Sequence, residues 1–202
     1  MDTGFIAITL LAFGFVGWYG AGSLFNRYKS RRMLKTIARH LKKYGGSKEV
    51  TPLGSSGFII NMDKPSDGIR KLSLGVVLSK RELPINWIVD YIRGKRDTLT
   101  IKAVFNKKPG YDADIYRVDN YYGRTIHRKL AKDRYRELDG VYVFPSDVVK
   151  KGKVKSIVRL MEKIEGIWWI SLKKEGVHLI ITAHPKVVDD LNIIMRLVEE
   201  LS

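Results

Sequence analysis

The stretch from Gly4 to Phe25 reads GFIAITLLAFGFVGWYGAGSLF, 22 residues without one side chain that is charged at neutral pH. As a helix it would run about 33 Å, enough for the roughly 30 Å hydrocarbon layer of a bilayer. Trp18 and Tyr19 stand near its C-terminal end, where amphipathic rings suit the membrane–water boundary. A cleaved signal peptide carries basic residues ahead of its apolar run, and here only Asp2 comes before it. The positive charge follows instead, at Arg27, Lys29, Arg31, Arg32, Lys35, Arg39, Lys42, Lys43 and Lys48. The sequence therefore predicts a single-pass anchor over residues 1–25 in the cell membrane, N-terminus outside and the remainder cytoplasmic. Gly14, Gly17 and Ala21 fall at i, i+3 and i+7. That small face would let another transmembrane helix come close.

Residues 26–50 read as a basic amphipathic juxtamembrane helix and connector. Met33, Ile37 and Leu41 recur every fourth residue, and Tyr44-Gly45-Gly46 ends the pattern. Arg27, Lys29, Arg31, Arg32 and Lys35 are the candidates for fixing orientation and touching anionic lipid headgroups.

Outward from there, the rest predicts an α+β domain of two similar β-α-β-β-α units, residues 51–138 and 139–202. In the first, Arg70 to Leu78 alternates as a strand. Pro84 opens a helix with an apolar stripe of Ile85, Ile88, Val89 and Ile92, which Gly94 stops. Thr98 to Phe105 and Ala113 to Val118 read as strands joined by a hairpin loop at Asn106 to Tyr111. A polar helix follows around Ile126 to Leu138. The second unit repeats the order: strand Val141 to Phe144, helix Val154 to Ile164, strands Ile167 to Leu172 and Val177 to Thr182, and a last helix from Pro185 to Leu201.

The 202 residues carry a formal charge of +16 and contain no Cys, which excludes disulfide frameworks, thiolate metal sites and Cys nucleophiles. Gln is absent as well, a composition typical of a thermophile. No phosphate-binding glycine loop, dinucleotide fingerprint or hydrolase motif occurs, and the four histidines have no partner at metal-ligand spacing. The expectation is a binding protein without catalytic residues, metal or cofactor. Charge is the chemistry that remains. Residues 26–48 hold +9, and the rest of the chain is uneven. Arg124, Arg128, Lys129 and Lys132 form one basic segment. Lys150, Lys151, Lys153, Lys155 and Arg159 form another, at the start of a helix, where phosphate is readily bound. Both are candidate rRNA or phosphate contacts, and Tyr121 and Tyr122 beside Arg124 are candidates for stacking.

An outward N-terminus, a basic flank and a cytosolic α+β domain resemble the calumin family, coiled-coil-domain-containing factors of the ribosome and translocon. The segments LSLGVVLSKRELPINWIVDYIRGKRDTLTIKAVFNKKPGYDADIYRV and LMEKIEGIWWISLKKEGVHLIITAHPKVVDDLNIIMRLVEEL carry the resemblance in order and spacing. The chain looks like a short, archaeal-type homologue, without that family's acidic outer segment and terminal coiled coil. The resemblance implies binding to the large ribosomal subunit through rRNA, beside the protein-conducting channel. It also implies a small multi-pass membrane partner and a chaperone-like role in inserting multi-spanning membrane proteins. The competing expectation is a membrane-tethered scaffold that binds only protein or lipid.

Overall fold

The apolar run and the basic run form one helix. In the computed structural model, which describes residues 3–130, 135–138, 140–145, 148 and 152–202, α1 extends without a break from Thr3 to Leu41. Among the described residues it is the one helix long and apolar enough to cross a membrane, and none of its apolar window is buried. Its C-terminal third is different: Ile37 and Leu41 are fully covered, and Met33 and Leu34 pack beside them.

The elements that follow are β1 (Ser47–Pro52), β2 (Gly57–Ser66), β3 (Ile69–Val77), α2 (Pro84–Ile92), β4 (Thr98–Phe105), β5 (Ala113–Arg117) and α3 (Tyr121–Leu130). Then come β6 (Arg136–Leu138), β7 (Val141–Phe144), α4 (Gly152–Lys163), β8 (Ile167–Leu172), β9 (Leu179–Ala183), a 3-10 turn (Pro185–Asp190) and α5 (Leu191–Leu201). Among the described residues the strands make one nine-stranded sheet, ordered β1-β2-β3-β4-β9-β8-β5-β7-β6, and every neighbouring pair is antiparallel.

This order corrects the expected hairpin at Asn106 to Tyr111. β4 and β5 do not pair; β9 and β8 lie between them. The reason is burial. Ala113, Asp114, Ile115 and Tyr116 of β5 are all buried, so both faces of the strand are covered and it belongs inside a sheet. The order of elements does repeat along the chain, but the pairing does not. β3 pairs with β4, whereas β7 pairs with β5 and not with β8. The hairpin of residues 167–183 is inserted between strands of the 51–138 segment, so the two segments share one sheet. Two further differences concern single elements. α3 ends at Leu130, and Arg136–Leu138 is a short strand rather than the end of that helix. β1 occupies the end of the expected connector.

One face of the sheet carries the core. Phe58, Ile60 and Met62 of β2, Leu72, Leu74 and Val76 of β3, and Leu99, Ile101 and Ala103 of β4 alternate onto it. Ile37 and Leu41 of α1, Val154, Ile157 and Met161 of α4, and Leu191, Ile194, Met195 and Val198 of α5 belong to the same core, with α1 against β2 and α4 against β7 and β8. Each Val, Leu, Ile, Phe or Met among them contributes about 1.5–3 kcal/mol when fully buried. The stripe read on α2 is not part of this core: no residue of α2 is buried.

α1 runs along the sheet from end to end. Asn26 meets Ser79, just past β3, at one end. The Gly45 N–H bonds Pro65 O at the other. The antiparallel register then places the β3–α2–β4 connection and the start of β8 at the end nearest the apolar part of α1. The β2–β3 turn, the β4–β5 connection and the β8–β9 turn lie at the far end.

Candidate functional site

The junction between α1 and the domain is polar and buried. Trp18, Gly22, Asn26 and Lys29 make one stripe of α1, and the chain after β3 runs against it. A Cβ at Gly22 would sit 2.6 Å from Arg81 O, so only glycine admits the close approach. The Trp18 indole N–H donates to Arg81 O at 2.8 Å. Asn26 is fully buried. Its Nδ2 donates to Ser79 O at 3.0 Å and Glu82 Oε2 at 2.9 Å, and its Oδ1 accepts from Arg81 Nη1 at 3.0 Å. Buried Asp97 accepts from Lys29 at 2.6 Å, from Arg81 Nη2 at 3.0 Å and from the Ser79 N–H at 2.7 Å. A buried charge persists only when so partnered. Burial opposes the charge of Asp97, but Arg81, Lys29 and the Ser79 N–H outweigh it and hold the carboxyl down at about 2. Lys29, expected at the lipid surface, is thus turned inward to an ion pair. Arg27, Arg31, Arg32 and Lys35 are exposed.

α2 projects from this junction. Trp18, Trp87 and Tyr91 form a chain of rings with centroids 6.0 Å apart at each step. Pro84 and Leu10, Leu11, Gly14, Phe15 and Trp18 of α1 line an open apolar groove of about 440 Å³. Asn86, Asp90 and Arg93 face a separate cavity of about 500 Å³, which Lys80, Lys95 and Arg96 also line. Gly17 and Ala21 are exposed and, like Gly14, free for a close helix approach: a Cβ at Gly14 or Gly17 would meet nothing within 4 Å.

The two basic segments separate. Ile115 and Arg117 of β5 face α4, since Ile115 joins the core and Arg117 Nη1 donates to Met161 O at 3.1 Å. Tyr116 faces the other way, where its ring meets His127 of α3. α3 and α4 therefore lie on opposite faces of the sheet. Arg124 and Arg128, with Tyr121 and Thr125, line a cavity of about 380 Å³ shared with Arg93 at the end of α2. Lys129 is exposed beside them. On α4, Lys155 and Arg159 are exposed, while Lys153 Nζ donates to Leu201 O at 3.1 Å, at the C-terminal end of α5, a favourable place for a cation. Lys132, Lys150 and Lys151 lie outside the described residues. Tyr122 is not free to stack on a base. It already stacks on Trp168 at 4.8 Å, and its hydroxyl shares a 2.6 Å hydrogen bond with Thr98 Oγ1.

Other residues come together whose grouping the sequence does not show. Arg93, Lys95 and Arg96 join Arg124 and Arg128 at the end near the apolar part of α1. At the far end Lys42, Lys43, Lys64, Lys107, Lys108 and Lys174 are exposed, and Asp63, Asp67, Asp112, Glu175, Glu199 and Glu200 are exposed among them. These lysines are scattered in sequence, and only the sheet order brings them to one end. Among the described residues no three His, Cys, Asp or Glu side chains gather as a metal site. His178 is buried, and its Nδ1 accepts the Phe105 N–H at 3.0 Å. No family model matches the chain, and no curated protein matches it.

Proposed function

We propose that the chain is a single-pass membrane protein whose cytoplasmic domain stands on the bilayer and offers its far end to the large ribosomal subunit. In that place, beside the protein-conducting channel, it assists the insertion of multi-spanning membrane proteins, with a small multi-pass partner on the Gly14, Gly17 and Ala21 face. One observation carries this reading: the two ends of the sheet differ in chemistry. The end nearest the apolar part of α1 joins aromatic rings, Trp18, Trp87 and Tyr91, to exposed isoleucines and arginines. The opposite end exposes Lys42, Lys43, Lys64, Lys107, Lys108 and Lys174. A rigid junction at Asn26 and Asp97 would hold those lysines away from the membrane, within reach of an rRNA backbone. The repeated order of elements fits an old duplication whose strands have since interleaved.

The second reading, a scaffold that binds only protein or lipid, draws support from Arg124 and Arg128, which gather at the membrane end. Sedimentation of the full chain in detergent micelles with large ribosomal subunits, over a range of salt, decides between them. Binding that weakens steeply with salt is expected. No co-sedimentation at low salt would leave the scaffold.

A further inference from the structure

We propose that α2 is an interfacial membrane helix, lying in the cytoplasmic leaflet beside α1. Ile85, Ile88 and Ile92 enter the acyl chains, and Arg93, Arg124 and Arg128 hold anionic phospholipid headgroups. The premise is that α1 crosses the bilayer; the second attachment is what the geometry of α2 adds.

α2 is amphipathic in the opposite sense to a helix on a soluble domain. Such a helix turns its apolar face to the core. Here Asn86, Asp90 and Arg93, with Val89, face the cavity toward the domain, while Ile85, Ile88 and Ile92 point away, 67%, 49% and 77% exposed. Water gives no reason for that orientation, and hydrocarbon does.

Position identifies the hydrocarbon as lipid. Pro84 shares an apolar groove with Leu10, Gly14 and Trp18, inside the uncharged stretch of α1. The exposed apolar surface of α1 continues past that level through Leu24, Phe25 and Tyr28. α2 therefore leaves α1 where α1 itself is surrounded by lipid, and the two apolar surfaces are continuous. Trp18, Trp87 and Tyr91 make a belt of the residues that favour the membrane–water boundary. The charges around α2 are basic in sum: Asp90 is paired with Lys95 and Glu82 is held by Asn26, which leaves Lys80 before it, Arg93 and Arg96 after it, and Arg124 and Arg128 from α3. A second copy of the chain would bring the same cations against each other, whereas an anionic leaflet complements them. The contacts of Trp18 and Asn26 with residues 79–82 hold α2 to α1 in this pose.

Because the chain has no Cys, single Cys variants of the full protein accept one label each. Ile88→Cys, Leu11→Cys and Lys174→Cys would carry an environment-sensitive fluorophore in liposomes. Quenching by nitroxide-bearing lipid is compared with quenching by aqueous iodide. The expected result is lipid quenching and iodide protection at residues 88 and 11, and the reverse at 174. Iodide access at 88 with protection at 11 would overturn the interfacial helix and leave the span intact. Iodide access at both would overturn the span itself. Protection from both quenchers at 88 would mean a protein occupant, a partner or a second copy, and would equally overturn the lipid assignment. An equal mixture of phosphatidylcholine and phosphatidylglycerol should blue-shift the label at 88 relative to phosphatidylcholine alone. The Arg93→Gln, Arg124→Gln, Arg128→Gln triple variant should lose that shift, and a shift that persists would overturn the headgroup contacts.

Discussion

Lys29 Nζ lies 2.6 Å from Asp97 Oδ2, so the helix that carries the apolar segment is ion-paired to the residue immediately before β4. Arg81 reaches the same carboxylate. Asp97→Asn would leave two cations facing a neutral amide in a buried place. A loss of about 3 kcal/mol in unfolding free energy is expected, the scale for breaking a buried pair from one side. Chemical denaturation in detergent micelles measures it. A loss no larger than a surface pair gives, about 0.5 kcal/mol, would show that the junction does not hold the domain to α1.

The same carboxylate sets an acid limit. Its folded pKa, about 2, lies below the ordinary value. The unfolded chain therefore binds the proton more readily, and stability falls as pH drops from about 4 toward 2. Thermal unfolding should decline more steeply over that window in the native chain than in Asp97→Asn. Parallel curves would detach the acid sensitivity from this residue.

His178 acts nearer neutrality. Burial, then Lys108 and Arg70, push its pKa below the ordinary value, and its Nδ1 lone pair is already used by the Phe105 N–H. Protonation is thus more favourable in the unfolded chain. Its contribution is complete above about pH 6.5 and is lost as pH falls through that value toward the lower folded one. His178→Gln should flatten the stability profile in that region, as followed by denaturant midpoints at successive pH values.

Gly22 and Gly17 give a paired steric test. A methyl at Gly22 would press on the Arg81 backbone, whereas one at Gly17 meets nothing within 4 Å. Gly22→Ala should cost about 1–3 kcal/mol as backbone and helix are forced apart. Gly17→Ala should leave the isolated chain's stability unchanged. Equal effects would mean that the loop does not touch α1 there.

Local pattern made much of this fold legible. The uncharged run from Gly4, the alternation in β3 and the paired apolar strands β8 and β9 each declare themselves within ten or so residues. β1 did not, because SKEVTP is exposed at every position and an edge strand needs no apolar face. Nor did the separation of β4 from β5, because the true partner of Ala103 is Leu179, far along the chain. The junction was half legible. Asn26 is the first residue after the uncharged apolar run, but its partners Ser79, Arg81 and Glu82 are neighbours only in space. The basic segments were legible as charge, but nothing in their spacing shows that α3 and α4 take opposite faces.

That separation makes the two ends of the domain independently testable. If the ribosome docks on the far end, Lys107→Glu with Lys108→Glu should weaken co-sedimentation with large ribosomal subunits. It should also lower the slope of log affinity against log salt by roughly 1 for each lysine that touches phosphate. Arg124→Glu with Arg128→Glu, at the end near the apolar part of α1, should leave that slope unchanged while reducing association with phosphatidylglycerol. The opposite outcome, a ribosome defect from the α3 pair and none from the lysines, would move the ribosome-facing surface to the face of the sheet that α3 covers. The two pairs reverse the same number of charges. Any difference between them therefore reports where the cations sit in the fold, not how many the chain carries.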